Sequence, residues 1–269
     1  MEEQIFKNGS TTYYWSSKFF PKAVRADVFK LYSFVRVADD FVDVIPQQSQ
    51  SFYELAAAYN SGQNSKDPVI NQVVQNMREV SEKYEFDPMW TASFLQSMQW
   101  DLFKKNYKTL NDSLRYVYGS ADVIGLMMAQ ILALPSDSYT AAAAQGRAMQ
   151  WINFIRDLDE DNRLGRCYFP QSDLKRFGLS SIDKKSCTKK PEAFQAFIHL
   201  QLERYKKWQS EAEAGYKYIP KRLRVPVETA SSMYNWTAAE IAKNPFVVFE
   251  RKVKPSKQRV VASVVKSAV

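Results

Sequence analysis

The reading turns on Val28-Phe-Lys-Leu-Tyr-Ser-Phe-Val-Arg-Val-Ala-Asp-Asp-Phe-Val-Asp-Val-Ile45. Apolar residues recur at helical spacing and fall almost all the way round the helix, which marks it as buried. Into that buried helix the chain places Asp39, Asp40 and Asp43, with Arg36 one turn earlier. Asp39 and Asp43 are four residues apart, so their carboxylates lie one turn apart on one face. A solvated acidic face held by ordinary ion pairs is the plain alternative. It fits poorly beside so many apolar neighbours, because a buried, uncompensated carboxylate costs several kcal/mol.

A second stretch repeats the pattern: Asn153-Phe-Ile-Arg-Asp-Leu-Asp-Glu-Asp161, preceded by the mostly apolar Ala148-Met-Gln-Trp-Ile152. Asn153, Asp157 and Asp161 follow an i, i+4, i+8 series and form a stripe of oxygens about two turns long. Gln150 falls beside it. Arginines or cations must neutralise two such helices if they face one another. All-oxygen donors suit Mg²⁺, which takes one or two carboxylates and completes its shell with phosphate oxygens.

Around these helices the pattern is helical nearly throughout. Expected helices cover 21–45, 52–59, 69–84, 88–105, 110–134, 139–161, 192–215 and 226–243, with loop from 165 to 190. Short connections between helices predict an all-α fold. One domain over residues 1–269 is expected, with a basic tail at about 252–269. The 269 residues include one histidine and two cysteines, which excludes a Cys/His zinc site. No Gly-rich nucleotide loop occurs. No apolar run is long enough to span a membrane, and the N-terminus lacks a signal pattern. A reducing cytosol is therefore the expected location. His199 reads as an ordinary helix residue.

The two acidic stretches resemble the aspartate-rich motifs of the squalene/phytoene synthase family. Arg36-Val-Ala-Asp-Asp-Phe-Val-Asp43 looks like the first motif. The stretch 153–161, followed by Gly165-Arg-Cys-Tyr-Phe-Pro170, looks like the second with its R-x-Y-x-P extension. Tyr116-Val-Tyr-Gly-Ser-Ala-Asp-Val-Ile-Gly-Leu-Met-Met128 is similar to the family's central segment, except that Asp122 stands where many members have Gly. The resemblance covers about residues 10–251.

It implies an all-α isoprenoid synthase bundle with a central cavity, joining two prenyl diphosphates head to head. It implies Asp39, Asp43, Asn153, Asp157 and Asp161 as ligands of Mg²⁺, with Mn²⁺ as the alternative ion. Ser10, Tyr13, Arg36, Gln150, Arg166, Tyr234 and Arg251 become substrate contacts, Ser10 and Tyr13 as part of an N-terminal lid. Tyr116, Asp40 and Arg36 take catalytic positions, and Glu160 a supporting one. The expected product is phytoene from two geranylgeranyl diphosphates, without NADPH. Squalene or dehydrosqualene from farnesyl diphosphate is the runner-up. A non-enzymatic assembly factor of the same fold is the other class, and it should have lost carboxylates that this chain keeps.

The net charge is +8, and residues 243–269 hold seven basic residues against one acidic. Loose attachment of that tail to an anionic membrane surface is the expected partner reading; no nucleic-acid motif accompanies the charge.

Overall fold

The structure is a computed structural model, and it describes residues 2–9, 11–256 and 258–259. In chain order its helices are α1 (Glu2–Gly9), α2 (Thr11–Ser17), α3 (Lys22–Asp43), α4 (Ser49–Ser61), α5 (Pro68–Lys83) and α6 (Pro88–Asp101). Then come α7 (Leu110–Val117), a π-helical turn (Tyr118–Asp122), α8 (Val123–Ile131), α9 (Tyr139–Arg156) and α10 (Leu158–Arg163). The chain continues through α11 (Gln171–Arg176), α12 (Lys184–Lys189), α13 (Pro191–Glu213) and α14 (Lys221–Lys243), with a 3₁₀ turn at Pro245–Phe249. Two short strands, β1 (Asn106–Tyr107) and β2 (Cys167–Pro170), pair in parallel. The all-α expectation holds: the architecture is a helical bundle around a central cavity.

Local chemistry explains the boundaries. Asp67 and Asp87 each accept a hydrogen bond from the backbone N–H two residues on, and Pro68 and Pro88 occupy the first helical positions. Thr109 and Asp112 close a reciprocal capping box at the start of α7. Ser138 makes no such cap; its hydroxyl donates back to the Pro135 carbonyl at 2.7 Å.

Three expectations change. The helix expected over 110–134 contains the π turn, where Gly119 lies so close to α6 that an added Cβ would meet Ser93 O at 2.2 Å. The helix expected over 139–161 breaks at Asp157, yet the Asp157 and Asp161 N–H groups still donate to Asn153 O and Asp157 O, at 2.8 and 2.9 Å. The oxygen stripe therefore stays in line. The loop expected over 165–190 carries β2, α11 and α12.

The core runs through every long helix. Trp151 meets Trp208, Phe154 and Phe169 edge to face, and Phe154 stacks on Tyr168 at 4.4 Å. Helix α13 lies along α9, and α8 crosses α9 so closely that a Cβ on Gly125 would meet Ala142 O at 2.1 Å. Only glycine admits that approach. In the segment 252–256, expected to begin a basic tail, Val253 is fully buried and Lys252 forms ion pairs, while Lys254 and Ser256 are exposed. The remaining tail beyond 259 lies outside the described residues. Among the described residues no helix is long and apolar enough to cross a membrane.

Candidate active site

Helices α3 and α9–α10 turn their acidic stretches into one cavity of about 750 Å³. Asp39, Asp43 and Arg36 line it from α3, and Gln150, Asn153, Asp157, Glu160 and Asp161 from α9–α10. The remaining wall is mostly apolar, and its stretch along α8 and the start of α9 includes Ile124, Gly125, Met128, Ala129 and Ala142. This combination of an acidic end and an oily body follows from burying one face of two apolar helices while their motif oxygens stay open to the interior.

On α3, Arg36 Nη1 donates to Asp39 Oδ2 at 3.1 Å, and its other nitrogen donates to Asp40. Asp39 keeps 35% of its side chain open to the cavity. Burial and the neighbouring Asp43 nevertheless push its pKa well above the usual carboxylate range, against the pull of Arg36. Asp43 accepts from Arg166 Nη1 at 2.6 Å.

On α9–α10, Asp157 is clamped by Arg156 at 2.8 and 2.5 Å and by Lys252 at 3.1 Å. Burial alone would raise its pKa, but those two cations outweigh burial and lower it. Lys252 also pairs with Glu160. The Asp161 carboxylate makes no hydrogen bond or ion pair among the described residues. Burial, then Asp157 and Asp43, raise its pKa well above normal. Asp161 thus feels acids from both helices at once. Asn153 Oδ1 is buried without a hydrogen-bond partner.

Behind the α3 wall lies an acid that sequence reasoning missed. Asp101, at the end of α6, accepts from Tyr116 OH at 2.6 Å and Tyr168 OH at 2.7 Å, and lies 3.8 Å from Arg166. Burial raises its pKa to about 7, while Arg166 and the two phenols hold it down. The same hydroxyls fix the Tyr116 and Tyr168 rings, which pack 4.8 Å apart. Its signal was available in the sequence: an acid in the last turn of an apolar helix opposes the helix dipole and calls for a partner.

Of the expected substrate contacts, Arg36, Gln150 and Tyr234 line the cavity, as does Tyr116. Three expected site residues do not. Asp40 lies about 100° round the helix from Asp39 and pairs with Arg36 instead. Arg166 is 3% exposed, with its guanidinium spent on Asp43, Tyr168 OH and the Val42 carbonyl. Arg251 is exposed outside the cavity; Lys252 and Lys254 line it, and Val253 between them points into the core, the alternation of an extended chain. Ser10 and the Tyr13 side chain lie outside the described residues, although Gly9 and Ser16 on either side line the cavity. Asp122 does not line the cavity. It turns away and pairs with Arg147 of α9.

Among the described residues, no three Asp, Glu, His or Cys side chains are gathered to hold a metal by themselves. The donor set still fits Mg²⁺, which needs only one or two protein carboxylates when phosphate oxygens complete its shell. The unpartnered Asn153 Oδ1 and the like-charge strain on Asp39 and Asp161 are what a cation placed here would relieve.

A family model described as squalene/phytoene synthase matches residues 6–259. A 15-cis-phytoene synthase from Paracoccus sp. is 26% identical over 94% of this chain and 85% of its own length. Phytoene synthase 2 of Solanum lycopersicum is 33% identical over 61% of this chain and 55% of its own. A solved dehydrosqualene synthase superposes with a TM-score of 0.84, at 24% identity, over 99% of this chain and 93% of its own. Squalene synthase from Alicyclobacillus acidocaldarius superposes with a TM-score of 0.76, at 21% identity, over 91% of this chain and 93% of its own.

Proposed function

This chain belongs to the squalene/phytoene synthase family and is a prenyltransferase; we propose that it condenses two geranylgeranyl diphosphates head to head, through a cyclopropyl diphosphate, to phytoene. One observation carries the reading. The acidic faces of α3 and α9–α10 share one apolar cavity, with the Asp161 carboxylate and Asn153 Oδ1 unpartnered among the described residues at its acidic end. The relatives named 15-cis-phytoene synthase support the product.

Asp39, Asp43, Asn153, Asp157 and Asp161 would hold Mg²⁺, or Mn²⁺, together with diphosphate oxygens. Bound there, the cations spread the charge of the leaving group. Arg36, Lys252 and Lys254 add positive charge at the same end and orient the diphosphate. The apolar wall excludes water, which would quench an allylic cation. The Tyr116 hydroxyl donates a hydrogen bond to Asp101, so its oxygen lone pairs remain to meet developing positive charge in the cavity. In the phytoene reaction the last cation loses a proton, so no hydride donor is needed and NADPH is not used.

Small wall residues favour the longer substrate. Gly125 and Ala129 both line the cavity, and Gly125 also admits the close α8–α9 crossing. Ala133, four residues further on, lies past the helix end with φ of 52° and does not line it. Peripheral attachment of the basic C-terminal residues to an anionic membrane would deliver these oily substrates; loss of vesicle binding on deleting 257–269 tests it.

The test of the reaction is incubation with farnesyl or geranylgeranyl diphosphate and Mg²⁺, with and without NADPH, and analysis of the extracted hydrocarbon. Phytoene from the C20 substrate, independent of NADPH, is expected. Turnover of farnesyl diphosphate alone would put squalene or dehydrosqualene in its place.

A further inference from the structure

The cavity face of α9 changes character along its length. It runs from Ser138, just before the helix, to Asn153 and Asp157 at the acidic end, and the 18 residues of α9 span about 27 Å. Gln145 interrupts it, eight residues and about 12 Å from Asn153. Only the tail of a prenyl chain would reach that depth.

Gln145 is not a solitary polar group. Its Oε1 lies 3.0 Å from Tyr216 OH and 2.9 Å from Ser231 Oγ, the two hydroxyls lie 2.5 Å from each other, and their two protons serve two of these three contacts at a time. Its Nε2 donates to Gln209 Oε1 at 3.3 Å. The network therefore ties α9 to α13, to the 3₁₀ turn at Tyr216–Tyr218 and to α14. Gln145 and Tyr216 line the cavity, and Ser231 is buried behind them. Burial pushes the Tyr216 phenol up to about 12, so it stays a neutral donor.

We propose that Gln145, locked by Tyr216 and Ser231, is a specificity-determining collar that sets how long a prenyl tail the cavity accepts. The proposal rests on the prenyl-transfer reading above and assigns a role to residues outside the diphosphate end. A Met or Leu wall yields by changing rotamer. Rotating the Gln145 amide would break its hydrogen bonds to Tyr216, Ser231 and Gln209 together, so this part of the wall is stiff. Because its polar atoms are turned on one another, it presents little desolvation cost to a passing hydrocarbon. Beyond it, Ala141, Ala142 and Ser138 are small and leave room for a terminal isoprene unit.

The test is the ratio of kcat/KM for geranylgeranyl over farnesyl diphosphate, measured in competition with Mg²⁺. Gln145→Phe should shift the ratio toward the C15 substrate by about tenfold or more, and Gln145→Ala should shift it toward the longer chain. Folded variants that keep the wild-type ratio overturn the proposal, because a purely structural network would lower both activities together. Should the Gln145 variants fail to fold, Tyr216→Phe removes one donor without removing volume. It should relax the ratio in the same direction as Gln145→Ala, and an unchanged ratio again overturns the collar. If wild-type protein turns over neither substrate, the prenyl-transfer reading fails by itself. Calorimetric binding of the unreactive C15 and C20 thiolodiphosphates then decides the collar: a preference moved by Gln145→Phe supports it, and an unmoved one ends it.

Discussion

The two acidic stretches carry similar residues at similar spacing, yet their carboxylates sit in different electrostatic states. On α3, Asp39 shares Arg36 with Asp40 and still titrates high, because it is buried and Asp43 stands one turn away. On α9–α10, Asp157 titrates low because Arg156 and Lys252 converge on it, while Asp161, one turn further, titrates high with no cation of its own. Each helix so presents a carboxylate that the protein leaves poorly compensated. Counting charges would not separate them; the direction from which each cation arrives does.

The largest effect belongs to the acid standing behind the α3 wall. Asp101 has its pKa raised from 3.8 to about 7. A carboxyl raised on folding stabilises most below its unfolded pKa, and that contribution is lost as pH rises through the folded value. Three units correspond to about 4 kcal/mol. Asp101→Asn keeps the shape without titrating; its oxygen accepts from one phenol, and its amide N–H donates to the other phenol oxygen. The stability of wild type minus that of Asp101→Asn should therefore fall by on the order of 4 kcal/mol between pH 4 and pH 8. Urea unfolding without divalent metal measures it, and a pH-independent difference would contradict the assignment.

Next comes turnover. Asp39→Asn and Asp157→Asn should each lower kcat by ~10² or more, since each removes a charge that holds cations against the leaving group. Near-normal kcat in either variant would break the claim that the two helices act as one site.

The smaller effect separates the helices. In metal-free protein at pH 8, Asp39→Asn should raise stability, because the ionised form of a raised-pKa acid carries a cost at that pH. Asp157→Asn should lower it by about 2 kcal/mol, because Arg156 and Lys252 lose their acceptor. The Asp157 contribution is present above the unfolded carboxylate pKa and disappears as pH falls through the lowered value. Shifts of the same sign in denaturant midpoint would show that the two clusters are alike after all.

The parts of this molecule legible in sequence are those set by local periodicity. Helix α3 and the stripe on α9–α10 followed from apolar spacing, whereas their meeting in one cavity was implied by the family resemblance. What stayed hidden depends on partners distant in the chain. Strand β2 exists because the two residues of β1 pair with it, 61 positions away in the Asn106–Cys167 register. Arg166 carries the motif's expected arginine, but Asp43 and Tyr168 claim its guanidinium. Arg251 and Lys252 are adjacent in a basic segment, and only the alternation of an extended chain decides which faces inward. The surroundings of Gln145 are set by Tyr216 and Ser231, 71 and 86 positions further along the chain.

The central claim is that α3 and α9–α10 form one cation-assisted diphosphate site. Calorimetric titration of the protein with inorganic diphosphate, in Mg²⁺ and then in EDTA, tests it without any turnover. The account predicts binding that requires Mg²⁺ and is weakened at least tenfold by Asp39→Asn and by Asp161→Asn alike. Equal binding in EDTA, or binding lost in one variant and untouched in the other, would contradict it.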